Sequence, residues 1–207
     1  MKIRKSLAGA LALGMVILAS SAAMGADKGK KAAKAGPPDE KAMMEAMAKA
    51  GTPGEAHKKL EPMVGTFDTK AKMWMDPSKP AEETSGKTES KWVLGNRFVH
   101  ETYEGTFMGQ PFSGMGYWGY DNITKKYTGT WMDSMGTAMM NSTGKMDASG
   151  KVLTYTAMMN DPMTGKLCKI TEKVTVTDND HHMLEMWGPD PSGKNYKMME
   201  ITYVRKK

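Results

Sequence analysis

Cysteine is almost absent: Cys168 is the only one in 207 residues, so no disulfide can staple this chain to itself. Stability therefore has to come from an ordinary core, for which the roughly 150 residues after His57 suffice as one domain. No apolar stretch beyond the first 26 residues approaches the roughly 20 residues that span a bilayer as a helix, so no transmembrane segment is expected after that point. No Gly-x-Ser-x-Gly, P-loop or zinc-ligand spacing occurs, and neither does a covalent haem attachment motif, so the sequence calls for no cofactor and no metal site. After Leu60 no helical pattern is long enough to carry a parallel crossover.

A one-sided charge is also missing, despite a formal net charge of +6. The excess sits in Lys2, Arg4 and Lys5, in the lysines of segment 27–35, and in Arg205, Lys206 and Lys207. The body between them is slightly acidic, which excludes a basic face for nucleic acid.

What is present begins with an export signal. Lys2, Arg4 and Lys5 precede the apolar run Leu7 to Ala19 and the small residues Ser20 to Ala26, the layout of a secretory signal peptide. Cleavage after Ala23 or after Gly25 fits, and an uncleaved anchor is the alternative. The expected division is a signal peptide over 1–25, a Lys/Ala-rich linker over 26–38, helices over 39–61 and a β domain over 62–207, the mature protein being periplasmic or secreted. The linker reads as a solvated spacer, with an electrostatic tether to anionic envelope surfaces as the second reading.

Two short helices are expected. The first runs from Glu40 to Ala50, with Asp39 as N-cap, Met43, Met47 and Ala50 on one stripe, and Gly51 as terminator. For the second, Thr52 would cap, Pro53 would take the first helical position, and Leu60 and Met63 would continue the apolar side. Both are too short to stand alone and should pack on the sheet or cover one of its ends.

From Gly65 the period changes to two. Ten strands are expected near 66–75, 86–94, 97–107, 111–120, 126–133, 136–146, 151–160, 166–177, 182–188 and 195–205. Turn chemistry separates them at Asp76-Pro77, Gly95-Asn96, Gly109-Gln110, Asp121-Asn122, Asp147 to Gly150, Asp161 to Gly165, Asp178 to Asp180 and Pro189 to Gly193. Connections this short make neighbours antiparallel. Twist accumulating over ten such strands predicts a mainly β fold, an up-and-down antiparallel barrel closed or nearly so, with a two-sheet sandwich as the alternative. Gly114, Gly116 and Gly119 within one strand suit sharp curvature or close backbone approach.

The blocks PGEAHKKLEPMVGTF (Pro53–Phe67), VLGNRFVHETYEG (Val93–Gly105), GYDNITKKY (Gly119–Tyr127), TWMDSMGT (Thr130–Thr137), DPMTGK (Asp161–Lys166) and MMEITYVR (Met198–Arg205) follow one another at consistent spacing. In these the chain resembles the bacterial domain of unknown function 1579 family, over about Pro53 to Arg205. The resemblance implies a lipocalin-like barrel and no particular reaction. Gly65-Thr66-Phe67 looks like the Gly-x-Trp opening motif of lipocalins and fatty-acid-binding proteins, with Phe67 where Trp is usual. In that group the Trp packs against an Arg of the last strand, a role the resemblance gives to Arg205; a plain basic C-terminus is the alternative.

Alternation nominates site residues. On 166–177 the face of Cys168, Ile170, Val174 and Val176 also carries Glu172, a carboxylate that inside a barrel needs a partner or a raised pKa. A strand-end or bulge position reaching water is the other reading. On 126–133, Tyr127, Gly129, Trp131 and Asp133 share a side; on 97–107, Arg97, Val99, Glu101 and Tyr103 do. Glu101, Tyr103, Tyr127, Trp131, Asp133 and Glu172 are therefore the candidate binding residues for a small apolar or amphipathic ligand, although the same composition fits a filled core. Methionine is the other abundance, 23 residues in all. Met132 with Met135, or His181-His182-Met183, could offer soft ligands to Cu(I). Flexible core filling and sacrificial surface oxidation account for the count without a metal. An enzymatic alternative would use Glu172, Asp133 or Glu101 as general base.

Overall fold

A computed structural model describes residues 39–207. The expected signal peptide and linker lie outside the described residues. The first helix, α1, spans Glu40–Gly51 and starts with the Met43 amide donating to the Asp39 carbonyl at 2.9 Å. Asp39 makes no side-chain cap bond, and α1 buries no residue: Met43 and Met47 of the expected apolar stripe remain exposed. Thr52 does not open the second helix as expected. Its extended backbone (φ −90°, ψ 120°) ends α1, and its hydroxyl donates back to the Ala48 carbonyl at 2.6 Å. The single-turn helix α2, Glu55–Lys58, is instead capped at Gly54, whose N–H donates to His57 Nδ1 at 3.1 Å. A 3₁₀ turn, Glu61–Met63, then delivers the chain to the sheet.

Ten strands follow: β1 (Gly65–Met73), β2 (Glu82–Val93), β3 (Phe98–Phe107), β4 (Gln110–Asp121), β5 (Lys126–Asp133), β6 (Met140–Met146), β7 (Val152–Asn160), β8 (Leu167–Val176), β9 (His181–Pro189) and β10 (Asn195–Arg205). Each pairs antiparallel with the next, and β10 returns to β1 through Phe67↔Arg205 to Met73↔Met199, closing the barrel. The sandwich alternative is thereby excluded. Alternation drives the closure: on β1, Phe67, Thr69 and Ala71 are buried while Asp68, Lys70 and Lys72 are exposed. The connections use aspartate as expected. Asp121 Oδ1 accepts from the Ile123 amide at 2.7 Å, Asp147 Oδ1 from Val152 at 3.1 Å, Asp161 Oδ1 from Thr164 at 2.7 Å and Asp190 Oδ1 from Lys194 at 2.9 Å.

Several strand ends move from their expected places; β2 begins at Glu82 rather than near 86, and β1 ends at Met73 rather than near 75. β6 starts at Met140 rather than near 136, because Met135 and Met139 stay exposed outside the ladder. Arg97 is not on the inner face of β3. Leu94, Gly95 and Asn96 all take positive φ (50°, 66° and 62°), so Arg97 belongs to the tight connection and its guanidinium donates to the Leu94 carbonyl at 2.9 Å.

One end of the barrel is plugged. Leu60, fully buried, packs with Val99, Tyr127, Leu153 and Tyr155, and Ala56, Met63 and Val64 close around them. The Tyr127 hydroxyl donates to the Ala56 carbonyl at 3.0 Å, and Trp92 Nε1 donates to Glu61 Oε2 at 2.7 Å, tying the plug to the wall. Asn122 Nδ2 donates to the carbonyls of Ala50 (3.0 Å) and Thr52 (2.8 Å), satisfying the C-terminal end of α1. No helix covers the opposite end among the described residues.

The seam of the barrel is locked at the plugged end by Arg205. Its guanidinium carbon lies 4.6 Å from the Phe67 ring centroid. It donates to the carbonyls of Val64 (2.7 Å), Pro62 (3.0 Å) and Asn179 (2.6 Å). This is the aromatic–guanidinium contact implied by the resemblance, made here by Phe67. Gly65 sits at φ 140° beside it, and a Cβ there would run into Arg205 Nη1.

Candidate functional site

Inward side chains repeat every second residue, and the strand register sets them in layers. One inward step beyond the plug layer of Val99, Leu153 and Val174 stand Glu101 on β3, Tyr155 on β7 and Glu172 on β8. Tyr155 and Glu172 are direct cross-strand partners, and Glu101 faces Gly116 and Ser90.

Glycines let the aromatic rings lie flat against the wall. Gly129, opposite Trp118, has no room for a Cβ, which would meet Trp118 Cε3 at 2.6 Å and Ser142 Oγ at 2.8 Å. Trp131 likewise lies over Gly114 and Gly116, so the glycines noted in β4 serve close approach of a neighbouring indole.

Held in that way, Trp118 Nε1 donates to Glu101 Oε2 at 2.6 Å, and its ring stands 5.5 Å from that of Tyr155. Glu101 and Glu172 are thus linked across the interior by Trp118 and Tyr155. Glu172 is 2% exposed and Tyr155 1%. Among the described residues Glu172 Oε2 and the Tyr155 hydroxyl have no hydrogen-bond partner, nor do the hydroxyls of Thr69 and Thr88. No Lys, Arg or His pairs with either carboxylate among the described residues.

Burial dominates the electrostatics. It pushes the Glu101 carboxyl up to about 7, against the lowering effect of the Trp118 hydrogen bond. Glu172 is pushed up to about 7 by burial and then by the charge of Glu101. The Tyr155 and Tyr203 phenols are raised by the same burial, with both glutamates adding to it. His182, 8% exposed, is pressed down to about 4 by burial and then by Arg205, so it is neutral at physiological pH. Its ring stacks on Tyr203 at 4.2 Å and meets Phe67 edge-on at 4.7 Å.

Of the six nominated residues, Glu101, Tyr103 and Glu172 share the interior. Glu172 is in mid-strand and deeply buried, which rules out the strand-end reading. Tyr127 faces inward but serves the plug through its bond to Ala56. Trp131 lies on Gly114 and Gly116 and donates to Asp133 Oδ2 at 3.1 Å. Asp133 ends β5, where its Oδ1 accepts from the Met135 amide at 2.9 Å, so it is engaged in a turn away from the glutamate layer. Trp118, Tyr155, Tyr203, Thr69 and Thr88 were not nominated. The available signal was parity: Trp118 alternates with Gly114 and Gly116, and Tyr155 with Leu153.

The residues of the soft-metal groupings are divided between surface and interior. His181 is exposed and bound to Asp178 at 2.9 Å, whereas its neighbour His182 points inward. Met135 is exposed beyond the end of β5. No group of three or more His, Cys, Asp or Glu converges as a metal site among the described residues. Two concavities, of about 240 Å³ beside His57 and Arg97 and about 500 Å³ around Lys70, Lys72 and Glu83, contain none of the six nominated residues.

Fold and interior together define a class: a closed ten-stranded up-and-down β-barrel, plugged at one end, with a carboxylate-bearing interior. The chain belongs to the family described as protein of unknown function (DUF1579), which matches residues 52–205. Among solved structures it is similar to Rv2717c from M. tuberculosis at 15% identity, over 75% of this chain and 100% of that one, with a TM-score of 0.57. That likeness supports the fold alone. A redesigned β-barrel aligns at 13% identity over 76% of this chain and 100% of its own, with a TM-score of 0.37, and carries no argument. No curated protein matches the chain.

Proposed function

We propose that this protein is an exported barrel that binds a small amphipathic ligand in its interior, polar end towards Glu101 and Glu172. The observation that carries the reading is the set of buried polar atoms left without partners, Glu172 Oε2 and the Tyr155 hydroxyl foremost. An unmade hydrogen bond at a buried atom costs roughly 1–3 kcal/mol, more for a charged group, and these two atoms belong to cross-strand partners, so one polar group of a ligand could answer both. Apolar inward residues beyond this layer, among them Ile170 and Ala157, suit the rest of such a ligand. Native mass spectrometry of the protein isolated from its own cell envelope tests the reading. A bound small molecule, lost on denaturation, is the expected result; an empty protein that also shows no thermal shift across a panel of amphipathic compounds would contradict it.

A second reading, oxidant buffering, is favoured by the exposure of Met44, Met75, Met108, Met135 and Met163 (60%, 70%, 60%, 59% and 90%). Thioethers on the surface can be oxidised without disturbing the core. Peroxide titration followed by peptide mapping should then oxidise these five while leaving the melting temperature unchanged. Unfolding in step with their oxidation would rule the role out.

A further inference from the structure

We propose that the interior site selects an amphipathic amine, its ammonium held between the carboxylates of Glu101 and Glu172 and its apolar body extending away from the plug. The inference rests on the interior-binding reading above and adds the chemical class of the ligand.

Three features of the interior lead there. The first is charge: Glu101 and Glu172 both stand on the inner face one step beyond the plug layer, and no basic side chain of the described residues pairs with either, while the inward-facing His182 stacks on Tyr203 instead. The second is donor balance. Glu101 has one oxygen occupied by the Trp118 indole N–H, and among the described residues Glu172 Oε2 has no partner and the hydroxyl of its cross-strand neighbour Tyr155 has none either. An ammonium brings three donors and no acceptor, which is what this set lacks. The third is the wall, where Trp118 and Tyr155 offer ring faces to a cation next to the carboxylates. A hard divalent ion, which takes six or more oxygen ligands, is served poorly by two carboxylates. A carboxylate ligand would bring a third negative charge into the same space.

The inner face beyond Glu172 has a defined length. From Glu172 to Cys168, near the end of β8, is four residues, about 13 Å along the strand and on the order of 10 Å along a barrel axis tilted from it by roughly 40°. Ile170 and Ala157 line that distance as cross-strand partners, with Met159 opposite Cys168 at its limit.

The titratable groups on the inner face of the barrel include Glu101 and Tyr103 on β3, Tyr120 on β4, Tyr127 and Asp133 on β5, Tyr155 on β7, Glu172 on β8, His182 on β9 and Tyr203 on β10. Burial raises the Tyr127, Tyr155 and Tyr203 phenols and lowers His182, whereas it brings the two glutamates up to about 7. Binding an ammonium favours their ionised form and so releases protons, and affinity rises as pH rises through 7.

The test uses three probes with one body and different heads, 4-phenylbutylamine, 4-phenylbutanol and 4-phenylbutyrate, titrated calorimetrically into the full chain at pH 6, 7 and 8. The amine should bind at least tenfold tighter than the alcohol at pH 8, tighter at pH 8 than at pH 6, and the butyrate weakest. At pH 7, repeating the amine titration in buffers of different ionisation enthalpy should show net proton release, which needs no variant. E172Q, which keeps the side-chain shape, should remove the preference of amine over alcohol and the rise of amine affinity between pH 6 and 8. Equal binding of amine and alcohol, or tighter binding of butyrate, overturns the amine selectivity while interior binding stands. Failure of all three to bind overturns both.

Discussion

Replacing Glu172 with glutamine should make the protein more stable above neutral pH, although it alters one of the most buried polar groups in the molecule. The native carboxyl titrates near 7, against an ordinary value of 4.5 that the unfolded chain retains. Between those limits the folded state binds more protons than the unfolded state, so stability falls as pH rises from 4.5 to 7 and levels off above. At about 1.4 kcal/mol per pH unit, the ionised carboxylate costs the native state roughly 3 kcal/mol at pH 8. Glutamine has the same outline and no charge, but its amide N–H groups enter the same partnerless space, which returns roughly 1 kcal/mol of that gain. The expected net is a stabilisation of about 2 kcal/mol at pH 8, on the order of 4–8 °C in melting temperature for a domain of this size. At pH 4.5 the variant should be no more stable than the wild type. Urea unfolding followed by tryptophan fluorescence at pH 4.5, 6, 7 and 8 measures all of this. If E172Q were instead less stable than the wild type at pH 8 by 1 kcal/mol or more, the ionised Glu172 would have a partner in the folded protein and the reasoning would fail.

Further outcomes follow from other contacts. His182→Phe keeps the packing against Tyr203 and Phe67 but removes a group that resists protonation. Because the folded pKa is depressed to about 4 from 6.5, the wild type loses stability as pH falls through that window; the variant should gain about 2 kcal/mol relative to wild type on going from pH 7.5 to 5, read by chemical denaturation. Gly129→Ala should cost roughly 1–3 kcal/mol, since its Cβ would displace Trp118, and should change the tryptophan emission as the bond to Glu101 is lost. A variant as stable as the wild type with unchanged emission would refute the close-approach argument. Arg205→Ala removes the bonds to Val64, Pro62 and Asn179 at the seam, and should cost roughly 3 kcal/mol with faster amide exchange in β1 and β10 than elsewhere. Uniform exchange throughout the barrel would show that the seam is not locked by this residue.

The barrel was legible because a period of two recurs in ten strands, with aspartate leading six of the turns between them, and each strand found its partner without a crossover. What alternation could not reveal were contacts set by distant chain segments. Tyr127 reads as a wall residue in its own strand, yet its hydroxyl belongs to Ala56, 71 residues away. Asp133 has the right parity, but strand-end geometry gives it to the Met135 amide. Arg97 lost its face because three successive left-handed residues precede it, and a Leu at 94 gives no hint of positive φ. Glu101 and Glu172 were visible as carboxylates on apolar faces, since parity alone places them. Their linkage through Trp118 and Tyr155 required the register of four strands, which no single stretch of sequence contains.

The indole N–H resonances of the five tryptophans offer the most direct test that the glutamate layer is the binding site. In a ¹⁵N-labelled sample, the Trp118 signal should shift with pH around a midpoint near 7 and move again on addition of 4-phenylbutylamine, while Trp74 and Trp187 stay in place. A Trp118 signal that is flat from pH 5 to 9 and indifferent to the amine would contradict the account.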